Sequence, residues 1–189
     1  MAISFVRRTG RPGVSNRYYI KTTYHGYNKC ILVNRLTGSV LPNCVGYSWG
    51  RFCECQKITS CKLSTGDAGN WYYKKDGYKR GKTPKLGAVI CWSDSQGAGH
   101  VANVEYIYPN GNIITSNSAW NGSYWFEKEL KKSNNYYFGA TYTFQGFIYP
   151  TVEFTDDPQP VPPQPKKIIR SFFPWVLYSR KFRKRHTKM

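Results

Sequence analysis

At 189 residues, 40% hydrophobic and 17% aromatic, the chain is long enough to bury one core of ordinary size and too short for two large domains. A net charge of +18, from 28 Lys and Arg against 10 Asp and Glu, points to an anionic partner and says little about fold. No apolar run reaches the roughly 18 residues that a membrane-spanning helix needs. Residues 1–8 place apolar side chains ahead of their charges, the reverse of a secretory signal, so a cytoplasmic chain is expected until something releases it.

Residues 7–29 mix Arg, Gly, Pro, Asn and Tyr without periodicity and read as a basic, aromatic lead-in that covers the domain. A strand at 30–33 and a turn at 34–38 follow. The first substantial helix starts from Asn43, with Val45, Trp49 and Phe52 spaced to share a face. A second short helix is predicted over 63–71, with Ser64 or Thr65 near its cap, and 74–82 reads as an exposed basic loop. From Leu86 onward the texture is that of strands, at 88–92, 100–108, 113–119, 124–128 and 146–150. Asn110-Gly111 marks a hairpin turn between the second and third of these. Helices first and an antiparallel sheet afterwards make an α+β architecture. Residues 156–165 form a proline-rich linker, and 166–189 a tail too small for a core of its own, with nine basic residues and no acid.

The predicted helix puts Cys44 at its N-terminus, where unpaired N–H groups and the positive end of the helix dipole favour a thiolate, the nucleophilic form of cysteine. A reactive cysteine needs a base, and the chain offers His25, His100 and His186. Only His100 opens an apolar, strand-like run behind a glycine loop, so it is the expected partner. Asn43 is expected to cap the helix. Of the six cysteines, most should be thiols in a reducing compartment. The cluster Cys53, Cys55 and Cys61 lacks both a nearby histidine and the paired spacing of a structural zinc site.

The stretch Pro42-Asn43-Cys44-Val45-Gly46-Tyr47-Ser48-Trp49-Gly50, the strand-like 83–92 and Gly99-His100-Val101-Ala102, in that order, resemble the CHAP domain. This is the cysteine- and histidine-dependent amidohydrolase/peptidase module of bacteriophage endolysins and bacterial autolysins. The resemblance covers residues 27–150 and implies a papain-like (NlpC/P60-like) fold, with the cysteine helix packed on the sheet that carries the histidine. It divides the chain into a catalytic domain with its lead-in at 1–155, the linker at 156–165 and the tail at 166–189. The implied enzyme is a peptidoglycan hydrolase of the phage endolysin type, an N-acetylmuramoyl-L-alanine amidase or an endopeptidase, held in the host cytoplasm until release brings it to the wall. Cys44 would attack the amide and His100 would shuttle the proton.

In that family an Asn or Glu on the strand after the histidine orients the imidazole, and 114–120 resembles that strand with Asn117 at the position; Asn121 is the alternative. Glu105 is five residues from His100, an odd separation that sends it to the opposite face. A regular hairpin closed at Asn110-Gly111 opposes Asn117 to Val104, four residues and about 13 Å along from His100. Asn117 therefore reaches only if a bulge or a longer loop shifts the register. Some members of the family hold calcium just before the cysteine, but residues 1–43 here contain no Asp or Glu, and no metal or cofactor is expected. The expected partner of this monomer is peptidoglycan, with the tail's aromatic and basic residues suited to teichoic acid or an anionic membrane surface, and no specific nucleic acid. The competing reading is a non-catalytic basic protein that binds nucleic acid or anionic wall polymers through charge alone.

Overall fold

The computed structural model describes residues 3–13, 15–19, 43–118 and 125–155, all within the first of the chain's two compact units, Met1–Gln159. The strand expected at 30–33, the turn at 34–38, the alternative Asn121, the linker and the tail lie outside the described residues. In chain order the elements are β1 (Ile3–Ser4), α1 (Cys44–Gln56), a 3-10 helix (Ala68–Tyr73), β2 (Arg80–Gly81), β3 (Val89–Asp94) and β4 (His100–Ile107). They continue with β5 (Ile113–Asn117), β6 (Phe126–Leu130), a short 3-10 turn (Lys132–Asn134), β7 (Tyr142–Ile148) and β8 (Phe154–Thr155). Six strands form one antiparallel sheet in the order β2-β7-β3-β4-β5-β6, while β1 and β8 pair in parallel apart from it. No helix among the described residues is long and apolar enough to cross a membrane.

With Gly46 and Gly50 inside it, α1 has little intrinsic helical preference and depends on its ends and its buried face. At its start the Asn43 side chain accepts from the Gly46 N–H at 2.8 Å, a cap that contributes about 1 kcal/mol. It ends at Lys57 in the left-handed region (φ 57°), where the Ile58 N–H returns to the Cys53 carbonyl at 3.1 Å. Val45 and Phe52 bury against Trp71, Val89, Cys91, Val101 and Ile148, and Trp49 packs at the margin. Burying Phe52 alone stabilises the fold by about 1.5–3 kcal/mol. The other face of the sheet is covered as well, by a cluster that includes Ile90, Trp92, Val104, Ile113, Leu130, Tyr136 and Phe147. Burial on both faces explains why 88–92 reads as an unbroken apolar run.

The second predicted helix begins later and is a 3-10 helix. Gly66, Gly69 and Asn70 are poor α-helix formers, and the Ser64 hydroxyl accepts from the Gly66 N–H at 3.2 Å in a local turn instead of capping. The basic loop is also less free than its composition suggests. Arg80 and Gly81 add an edge strand to β7, Asp76 pairs with Arg80, and the Tyr78 ring stands edge-on to Phe52 at 5.0 Å.

The described part of the lead-in does cover the domain. Tyr19 is fully buried, its ring stacked on Tyr47 at 5.7 Å and laid over Gly50, where a Cβ would come within 2.8 Å of it. Beneath lies a closed charge network. Arg51 grips Glu105 through two bonds of 2.8 and 2.7 Å and reaches Glu54 at 2.8 Å, and Arg8 also pairs with Glu54. The Arg8 backbone N–H and the Ser116 hydroxyl occupy the remaining acceptor positions of Glu105, at 2.9 and 2.6 Å.

Candidate active site

Ahead of β4, the glycine loop is pinned in place. Gly99 has φ +65°, a Cβ there would come within 2.3 Å of the Trp92 carbonyl, and the Gly69 N–H donates to the Ala98 carbonyl at 2.8 Å. His100 thus enters the sheet from a pinned turn, and the residue is 5% exposed. Phe138 stacks on it at 4.4 Å with an interplanar angle of 25°, and Trp92 and Tyr142 flank it at 5.7 and 6.1 Å. Burial depresses the imidazole's pKa to about 4; the Asn117 bond opposes this, and the Lys128 charge adds to it.

Asn117 accepts the condition set by the hairpin in both of its forms. The loop has three residues rather than two, since the Tyr108 N–H meets the Asn112 carbonyl at 2.8 Å and Ile107 pairs with Ile113. A bulge between Val104 and Tyr106 moves the register one residue further, so that Asn103 opposes Ser116. The next pair sets Asn117 across from Ala102, two residues from His100 on the same face. Its Oδ1 lies 3.1 Å from His100 Nε2. Glu105 is on the other face, closed into the Arg51 network, as its odd separation requires.

The tautomer follows from the bonds. Asn117 Nδ2 donates to the Thr115 carbonyl at 3.1 Å, which can only accept, so the amide is fixed with Oδ1 toward the ring. His100 Nε2 must then carry the proton and donate, which leaves Nδ1 as the free base of the neutral imidazole.

Cys44 stands at the first turn of α1 and is partly exposed. Burial of the remainder pushes its thiol pKa up; the nearby backbone N–H groups of Val101, Val45 and Cys44 itself pull the other way. The thiolate preference expected from the helix terminus is therefore present in the donors but outweighed by desolvation. Val101 directly follows His100, so the thiol sits beside the strand that carries the imidazole. The Tyr142 ring flanks His100, and its pKa is raised by burial first and then by Asp94. Neither Phe138 nor Tyr142 stood out in a chain with 26 Tyr and Phe, since their role comes from position across the sheet and not from spacing. Among the described residues, no group of three His, Cys, Asp or Glu side chains is arranged to hold a metal ion.

Known proteins resemble parts of the chain. Over 100 residues the chain is 36% identical to the probable autolysin LDP of Staphylococcus aureus, covering 52% of this chain and 34% of that protein. Over 64 residues it is 33% identical to a putative hydrolase of Streptococcus mutans, covering 33% of this chain and 30% of that one. The crystal structure of an N-acetylmuramoyl-L-alanine amidase from Staphylococcus aureus superposes with a TM-score of 0.43 at 25% identity, over 56% of this chain and 30% of that chain. The chain thus spans about a third of the length of each of these relatives. The family model for the CHAP domain matches residues 35–119, a segment that holds Cys44, His100 and Asn117 together.

Proposed function

We propose that the chain is a peptidoglycan hydrolase in which Cys44 is the nucleophile, His100 the acid and base, and Asn117 the residue that orients the imidazole. The observation that carries this reading is the bond from His100 Nε2 to Asn117, which leaves Nδ1 unprotonated on the residue next to the one whose N–H meets the thiol. With the thiol raised and the imidazole lowered, the resting pair is neutral. Sγ attacks the amide carbonyl as its proton passes to Nδ1, and the N–H groups at the start of α1 receive the developing oxyanion. The imidazolium then gives that proton to the leaving amine. Water, activated by the neutral imidazole, hydrolyses the thioester and frees Cys44.

The finer reading is an enzyme of the phage endolysin type that cuts either the N-acetylmuramoyl-L-alanine amide or a bond of the stem peptide or cross-bridge. The CHAP match and the autolysin relative favour the wall as substrate. The test is mass spectrometry of purified walls digested by the full chain. A new amino terminus on the stem alanine identifies the amidase, and a terminus within the peptide identifies the endopeptidase. Walls left intact by the wild type, or cut equally by Cys44→Ala, overturn the reading.

A further inference from the structure

The hydrogen bonds that fix Asn117 do not end at Asn117. Thr115 precedes it by two residues on β5, shares its face and is fully buried. The Thr115 hydroxyl donates to the Lys128 carbonyl on β6 at 3.1 Å, and this uses its one proton. Toward Asn117 the same oxygen can then only accept, and it takes one proton of Nδ2 at 3.0 Å while the Thr115 carbonyl takes the other at 3.1 Å. Both amide protons are engaged, and Oδ1 has no choice but to face His100. The donation runs in one direction across three strands, from His100 on β4 through Asn117 and Thr115 on β5 to the backbone of β6.

We propose that Thr115 is a positioning residue: its hydroxyl locks the Asn117 amide, and through it the His100 tautomer in which Nδ1 is the base. The catalytic consequence rests on the hydrolase reading above, whereas the tautomer does not. Without the hydroxyl, one Nδ2 proton is buried with no acceptor, and the amide, still held from turning by the Thr115 carbonyl, gains by sliding away from the ring, which loosens its hold on Nε2–H.

The experiment uses the full-length, 15N-labelled protein and long-range proton–nitrogen spectra of its histidine rings, with His100→Ala assigning the signal among the three histidines. In the wild type at neutral pH, His100 is expected as a single Nε2–H tautomer. Thr115→Val keeps the shape and removes the oxygen. It is expected to give a mixture of tautomers and about a tenfold fall in kcat with KM unchanged, and Thr115→Ser is expected to restore both. Should the valine variant not fold, Thr115→Ala removes the same oxygen without a second methyl group, and the wild-type tautomer is readable with no variant at all. A wild-type His100 protonated at Nδ1, or a folded Thr115→Val protein with His100 wholly Nε2–H and kcat within about twofold, overturns the proposal. A wild type that leaves walls intact yet shows the Thr115-dependent tautomer defeats the hydrolase reading and leaves the positioning role standing.

Discussion

On the α1 side of the β4–β5 hairpin, Glu105 and Ser116 meet Arg51, Tyr47 and the lead-in; on the opposite side, Asn117 and Thr115 hold a His100 ring that stacks on Phe138. Both sides are buried and polar, yet they are built differently. Each oxygen of Glu105 already accepts two bonds, so this carboxylate has nothing left to offer a substrate. The other side carries a neutral ring with Nδ1 still open, and the thiol at the start of α1 lies by the backbone of the strand that bears it. The ion pairs of Arg51, Glu54 and Glu105 belong to the scaffold, and the groups proposed for chemistry rest uncharged and become charged only during reaction.

The hardest test of this division is to remove the proposed reacting atoms. Cys44→Ser and His100→Ala are expected to bring release of soluble wall fragments to background, since nucleophile and base act as a unit, while thermal unfolding stays close to wild type. A variant of either residue that unfolds instead would place it with the scaffold.

The reverse pattern is expected across the sheet. Glu105→Gln leaves Arg51 buried opposite a neutral amide and should cost about 3–5 kcal/mol in chemical denaturation. Turnover per folded molecule should fall less than in Asn117→Ala. A Glu105→Gln protein of unchanged stability with turnover abolished would move that carboxylate into the chemistry and collapse the distinction between the faces.

Asn117→Ala sharpens the comparison from the other side. It removes a bond that orients a ring already held by Phe138, so kcat should fall by up to about a hundredfold, with the stability loss small beside that of Glu105→Gln. Equal stability losses in the two variants would mean that Asn117 is scaffold too.

How much of this was legible before the structure depends on the range of the interactions. The cap at Asn43, the burial of Val45 and Phe52 and the strand at His100 follow from local chemistry and periodicity, and they appear where those cues put them. The Asn117–His100 contact was reachable from the sequence only by resemblance. The three-residue loop is one residue longer than its Asn-Gly cue suggests, and the bulge at Glu105 lies where that carboxylate meets Arg51, 54 positions away. The thiol's surroundings were legible only in part for a related reason: a helix terminus is visible in a sequence, but the desolvation that raises the Cys44 pKa comes from neighbours across the fold. Thr115 looked like any β-branched strand residue, because its significance is a direction of donation between three strands.

The smallest expected effect concerns Lys128, the formal charge among the described residues that bears on His100. Lys128 Nζ lies 4.2 Å from the centroid of Phe138, whose ring stacks on His100, and it donates to the Phe138 carbonyl at 2.6 Å. The other groups facing the imidazole are Asn117 on β5, Tyr142 on β7 and the Trp92 ring on β3, all neutral at neutral pH. A nearby cation disfavours the imidazolium, so Lys128→Met should raise the His100 pKa above its value of about 4 and move the acid limb of kcat/KM to higher pH. Stability should respond with a definite sign. His100 titrates lower in the folded chain than its ordinary 6.5, so the unfolded chain binds more protons between those values and the fold loses stability as pH falls from 6.5 toward about 4. Lys128→Met narrows that window from below and should lessen the acid loss, whereas Lys128→Arg keeps the charge and should leave both profiles near wild type. An acid limb that stays in place in Lys128→Met, with the Phe138 stack intact, would show that burial alone keeps the imidazole neutral.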